Sequence, residues 1–116
     1  MRVSFEGIGE CVATFCNSAT APVKAGQAVK LGGNATVAAC ADGELVFGVA
    51  VTAGTDFAAV QTAGFVTLPY SGETAPTVGY GVLAADGAGG MKVAETGREY
   101  AILQVDTAAK TLGLML

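Results

Sequence analysis

A chain of 116 residues with six Lys and Arg against ten Asp and Glu carries a net charge of −4 and contains neither histidine nor tryptophan. That length sets the scale of one domain, enough for a core but not for a cleft between two lobes. The basic residues Arg2, Lys24, Lys30, Lys92, Arg98 and Lys110 stand singly, which argues against nucleic-acid binding through phosphate neutralisation, and the missing histidine deprives any serine or cysteine nucleophile of its usual base.

Glycine, with 17 copies, and three prolines leave almost no segment long enough for a helix. Residues 1–10 hold Val3, Phe5 and Ile8 among Gly7 and Gly9. They read either as an edge strand or as an arm that adds a strand to a neighbouring subunit. From 10 to 16 the period is two, with Cys11, Ala13 and Phe15 set against Val12, Thr14 and Cys16, a strand. Residues 26–31 predict the next strand, followed by the turn Gly32-Gly33-Asn34, a short strand to Cys40, a tight hairpin at Asp42-Gly43, a strand over 45–51 and another from Phe57. Phe65 and Thr67 alternate with Val66, Leu68 and Tyr70 in a further strand.

The polar connection 69–76 is then either a linker or a contact loop, with Tyr70 as its anchor and Glu73 beside it. Strands over 79–84 and 91–94 flank the turn signals Asp86-Gly87 and Gly89-Gly90, and Thr96-Gly97 leads to a strand over 100–105. Residues 106–110 form a hairpin connection or one helical turn before a last strand over 111–116. The fold class is therefore all-β, a compact antiparallel barrel or sandwich of roughly eight to eleven short strands in one domain over 1–116. Its expected core is Val12, Val29, Val37, Val49, Val51, Val60, Val66, Leu68, Val82, Ile102, Leu103 and Val105.

The chemistry-bearing residues are sparse. Cys11, Cys16 and Cys40 lack the partners of a zinc site and read as free, mostly buried thiols. Odd spacing sends Cys11 and Cys16 to opposite faces of a strand, against a shared metal or a local disulfide. The carboxylate pairs Glu6 with Glu10, Asp42 with Glu44, and Glu95 with Glu99 read as solvated turn charges rather than a hydrolytic pair. Ser4, Ser18 and Ser71 have no triad partner, and Gly87-Ala88-Gly89-Gly90 precedes a strand where a phosphate loop would open a helix. No enzyme, cofactor or metal is expected. No apolar run reaches the roughly 20 residues of a membrane helix, and Glu6 and Glu10 stand where a signal peptide would be apolar; a soluble protein made in the cytosol is expected, with no membrane partner. Charged residues make up 14% of the chain against roughly 25% in an average domain, so some apolar surface is expected to meet another chain.

Two segments resemble each other. The run from Gly26-Gln27-Ala28-Val29-Lys30-Leu31 through Asp42-Gly43 parallels the run from Gly79-Tyr80-Gly81-Val82-Leu83-Ala84 through Thr96-Gly97, with Gly43 matching Gly97 and Val51 matching Val105 at one constant spacing. This predicts two meander units, 24–62 and 77–116, stacked so that each covers the other's apolar face. With Gly48-Val49-Ala50-Val51 and Gly64-Phe65-Val66-Thr67-Leu68-Pro69, the pattern over roughly 23–105 resembles the small cement, or head decoration, proteins of tailed bacteriophages. The resemblance implies a non-enzymatic virion protein, made in the host cytoplasm, that binds the major capsid protein on the outer surface of the head and reinforces it, often as a homotrimer. Val3, Phe5, Ile8, Tyr70 and Glu73 are the expected partner contacts. The competing expectations are a carbohydrate- or surface-binding module, disfavoured because only Tyr70, Tyr80 and Tyr100 could serve as polar aromatic platforms, and another structural accessory such as a tail or fibre domain.

Overall fold

The computed structural model describes residues 9–116, and these form ten strands and no helix: β1 (Cys11–Asn17), β2 (Ala28–Gly33), β3 (Thr36–Ala39), β4 (Gly48–Ala53), β5 (Phe57–Ala63), β6 (Phe65–Ser71), β7 (Gly79–Ala85), β8 (Met91–Val93), β9 (Arg98–Asp106) and β10 (Thr111–Met115). The fold is all-β. Two closed five-stranded barrels follow one another along the chain, in the orders β1-β3-β2-β4-β5 and β10-β6-β8-β7-β9.

The internal repeat is visible strand by strand. In the first barrel β1 runs parallel to β3 and antiparallel to β5, and in the second β6 runs parallel to β8 and antiparallel to β10. The pairs β2/β3, β2/β4 and β4/β5 recur as β7/β8, β7/β9 and β9/β10. Each unit therefore begins one strand earlier than the sequence pattern indicated, at β1 and at β6. Each also closes on itself rather than depending on the other to cover an open sheet, because closure removes the unpaired edges that a meander leaves.

Turn chemistry sets the corners. Asp86 accepts from the backbone N–H of Ala88 (2.7 Å) and of Gly90 (3.0 Å), and Gly87 and Gly89 take the positive φ that the β7–β8 hairpin demands. Residues 106–110 make a hairpin turn: Asp106 accepts from the N–H groups of Ala108 and Ala109, and Lys110 sits at φ 55°. Asp42-Gly43 behaves differently from expectation. Gly43 has φ 85°, but β3 and β4 are not paired, so the dipeptide turns a longer connection, over 40–47, that lies against the second barrel. There the Gly43 N–H donates to Ala85 and the Ala85 N–H to Glu44.

Among the described residues two apolar clusters form the interior. Val23, Val29, Val37, Ala50, Ala58 and Val60 pack inside the first barrel. The second cluster holds Val66, Leu68, Tyr70, Leu83, Met91, Tyr100, Ile102, Leu112 and Leu114, and it continues outward to Ala28 and Val49 of the first barrel and to Cys40 and Val46 of the 40–47 connection. The inner faces of the second barrel and the junction are thus one core.

Of the expected core, Val29, Val37, Val49, Val60, Val66, Leu68 and Ile102 are buried, Val82, Leu103 and Val105 are half-buried, and Val12 and Val51 are exposed. Val51 is displaced by a bulge: Ala50 pairs with Val60 and Thr52 with Ala59, so Val51 is the extra residue and the in-out alternation breaks there. Val12 pairs with Gln61, on the face of β5 opposite to the inward Val60 and Ala58. Across from the inward Val60 and Ala58, β1 places Ala13 and Phe15, of which Phe15 is half-buried against the first core and Ala13 is exposed.

Polar contacts fix the junction. The Tyr100 hydroxyl, buried in the second barrel, donates to the Val46 carbonyl at 3.1 Å, and Lys92 pairs with Asp42 at 2.8 Å. Gln61, the one buried polar side chain among the described residues, donates through Nε2 to the carbonyls of Ala63 and Phe65, both at 3.0 Å, and so clips the Gly64 connector between the barrels. Tyr100→Phe keeps the ring but strands the Val46 carbonyl, so it should cost about 1 to 3 kcal/mol in urea denaturation, with no change in circular dichroism of the folded state.

Candidate partner-binding surface

Three strands of the first barrel, β1, β5 and β4, turn one face outward. Register places Val12 beside Gln61, Thr14 beside Ala59 and Cys16 beside Phe57, with Val49 and Thr52 of β4 flanking Gln61 and Ala59 on the other side; Gln61 and Val49 are buried where this face runs into the junction, and the rest of it is open. Laterally paired residues share a face. Val12 is 52% exposed, Phe57 60% and Val51 48%, with Thr14, Cys16 and Thr52 also exposed. Among the described residues no charge lies on this face. Among the described charges, Glu10 stands just before β1 and Asp56 just before β5, so the uncharged centre carries a carboxylate beyond each end. An apolar centre with a polar rim is the anatomy of a protein interface, and exposed apolar side chains gathered on one face are unusual for a monomer.

A second exposed feature lies on the other barrel. Tyr80 is 80% exposed, beside Val78 at 67%. It stands between Gly79 and Gly81 at the start of β7. Gly81 faces the core, where an added Cβ would come within 3.1 Å of Ile102 Cδ1, so the pleat sends Tyr80 outward.

The expected contact residues fall differently. Val3, Phe5 and Ile8 lie outside the described residues. Tyr70 is only 5% exposed and belongs to the second core, a correction with a simple cause. It is the last but one residue of β6, in phase with the inward Val66 and Leu68, and that phase overrides its position at the edge of the loop. Glu73 is exposed in the connection between β6 and β7. Nothing brings it together with the uncharged face. What sequence reasoning missed is Phe57, Tyr80 and the outward phase of β1; the glycines on either side of Tyr80 were the available signal.

Reactive chemistry is thin. Among the described residues no group of three His, Cys, Asp or Glu side chains could hold a metal. Glu44 is bound by Lys30 Nζ at 2.7 and 2.9 Å and by the Ala41 N–H, and the Lys30 contact holds its carboxyl below the usual range. With Asp42 engaged by Lys92, that carboxylate pair serves structure. Cys11 and Cys16 are exposed, contrary to the expectation of mostly buried thiols, because both lie on the sparsely covered β1; Cys40 is buried.

Burial, reinforced by the nearby Glu44, pushes the Cys40 thiol from 9.0 up to about 11. A raised folded pKa means the folded state holds the proton longer than the unfolded chain. The associated stability is full below about pH 9 and is lost as pH rises towards 11, a fall on the order of 2 kcal/mol. Cys40→Ala should flatten that part of the alkaline decline in melting temperature. Burial also raises the Tyr100 phenol, so some decline should persist. A thiol reagent at pH 8 should label Cys11 and Cys16 promptly and Cys40 only on unfolding.

A scan of protein-family models and a search of curated proteins returned no match to this chain.

Proposed function

We propose that the chain is a head decoration protein of a tailed bacteriophage, a non-enzymatic virion component that binds the outer surface of the assembled capsid and stabilises it. The observation that carries this reading is the uncharged outer face of β1, β5 and β4, centred on Val12, Phe57 and Val51. It supports a protein partner with an apolar seat and basic residues placed to meet Glu10 and Asp56. The glycine and valine pattern over roughly 23–105 supports the same class. The major capsid protein is the partner in this reading, and a homotrimer is the assembly it would take on the shell.

The physical logic is linkage. A protein that binds only the assembled shell adds RT ln(1 + [L]/Kd) per site to that shell's stability, and many weak sites sum. Purified protein added to undecorated capsids should raise the temperature at which they release their contents. Phe57→Asp and Val12→Asp, both on exposed positions, should lower occupancy by at least tenfold, since burying an unpaired carboxylate costs several kcal/mol, while leaving the free protein's melting temperature nearly unchanged. Equal capsid stability with and without the protein would remove the role; full occupancy by both variants would move the contact to another face.

A further inference from the structure

The first barrel closes between β1 and β3 through Cys16 with Thr36 and Asn17 with Val37 only, where the two strands run parallel. β3 begins at that level because the β2–β3 hairpin turns at Ala35, φ 48°. Residues 11–15 of β1 reach past the hairpin, and among the described residues no strand lies on that side of them. Backbone direction there is fixed. The Cys16 N–H donates to the Ala35 carbonyl on the β3 side and the Asn17 N–H to the Asp56 carbonyl on the β5 side, so by alternation the N–H and C=O groups of Thr14 and Val12 point away from β5, at the open edge. Cys11, Val12, Ala13 and Thr14 are all exposed, in both phases of the strand.

Sheets normally blunt an open edge with lysine, proline or a bulge on the edge strand. Residues 11–15 hold neither charge nor proline, and the irregularity of their ladder, between Cys11 and Val12, puts its extra residue, Thr62, on β5. The edge is bounded by Gly9 at φ 67° before it and by the hairpin at Cys16 after it. An antiparallel copy of the same residues fits it about a two-fold axis at Ala13. Val12 and Thr14 of one chain then face Thr14 and Val12 of the other as hydrogen-bonded pairs, and Ala13 meets its own copy as the close pair between them. Charge selects this occupant. Neither 11–17 nor the adjoining 31–39 carries a charge, so a strand bearing Lys, Arg, Asp or Glu would lose water there without gaining a counter-charge, whereas a second copy brings an edge as neutral as the one it meets.

We propose that two copies of this chain pair β1 edge to β1 edge over residues 11–15, antiparallel and centred on Ala13. The sheet then runs without a break from β4 and β5 of one copy to those of the other. The two uncharged outer faces turn to the same side, because a two-fold axis between antiparallel strands stands perpendicular to their sheet. A seam this short lies at the small end of interfaces, below roughly 1,200 Å², so the dimer forms in concentrated solution and separates on dilution. The inference concerns the free protein and does not rest on the capsid reading.

Sedimentation of the full chain across a dilution series tests it. The parent chain should pass from monomer to dimer as concentration rises. Ala13→Lys, at an exposed position, sets like charges opposite each other at the close pair; it should weaken the dimer by about tenfold or more and leave the melting temperature of the dilute monomer unchanged. A parent chain that is monomeric at every accessible concentration would leave the edge to a strand of another protein and overturn the proposal. A trimer, or an Ala13→Lys variant that dimerises as the parent does, would overturn it equally. As a second measurement, Ala13→Cys, made with Cys11 and Cys16 changed to serine, should oxidise to a disulfide-linked dimer in concentrated solution, since the facing Cα atoms of a close pair stand about 4.5 Å apart. The same change at Val78, exposed on the other barrel, should stay monomeric. No crosslink at Ala13, or equal crosslinking at both positions, would count against the pairing.

Discussion

Leu68→Ala should destabilise the protein by about 2 to 5 kcal/mol, while Val12→Ala should change its stability by no more than about 0.5 kcal/mol. Leu68 has no accessible surface and packs among Tyr70, Leu112 and Leu114 where β6 pairs with β10. Removing its branched end leaves a cavity that a closed barrel cannot easily collapse, because the walls are fixed by ladders on both sides. Val12 already meets water over half its surface, so truncation gives up little burial. At about 4 °C per kcal/mol for a domain of this size, thermal melting separates the two by about 6 °C or more. A Val12 variant as damaging as the Leu68 variant would mean that β1 faces the other way and that the uncharged face is not a surface.

That contrast also marks how much was legible in the chain. Alternation placed Val66 and Leu68 inward because β6 has no bulge within its pairing with β10. The same alternation set Tyr70 on their face, and its burial follows from that phase rather than from the polar loop it adjoins. On β1, alternation gave two phases of similar hydrophobicity, with Val12 in one and Phe15 in the other. The choice between them was made by Val60 and Ala58 across the ladder, a non-local fact. Val51 failed for a different reason, since a bulge adds one residue with no mark in composition.

The repeat was legible through its glycines and only faintly in its first strands, where Val12 and Val66 alone agree at the same spacing. Residues of β1 such as Thr14 and Cys16 share no identity with their counterparts in β6, and only the recurring parallel pairing reveals that they correspond. The uncharged outer face was out of reach for the same reason. Its members come from β1, β4 and β5, and only register brings Cys16 beside Phe57.

Gly48→Ala should be among the most damaging single-methyl changes in the molecule, at about 3 kcal/mol or somewhat more. Gly48 opens β4 against β5, where an added Cβ would stand 2.5 Å from the Gln61 carbonyl oxygen and 2.8 Å from Val60 Cγ1. Backbone cannot swing aside as a flexible side chain would, so β4 must move away from β5, a strain at or beyond the usual range for overpacking. The displacement would also pull on Gln61, whose amide clips the carbonyls of Ala63 and Phe65 across the barrel connector. Damage at one residue should thus loosen the junction as well as the first barrel. Gly43→Ala is the control: nothing lies within 4 Å of its added Cβ, but φ is 85°, so the cost is conformational alone, about 1 to 2 kcal/mol. Chemical denaturation should rank Gly48→Ala clearly below Gly43→Ala. Hydrogen exchange in the Gly48 variant should accelerate in β4 and β5 and at residues 63–65 together. Equal stability of the two variants would show that β4 and β5 are not in the close contact described, and that the first barrel closes in another register.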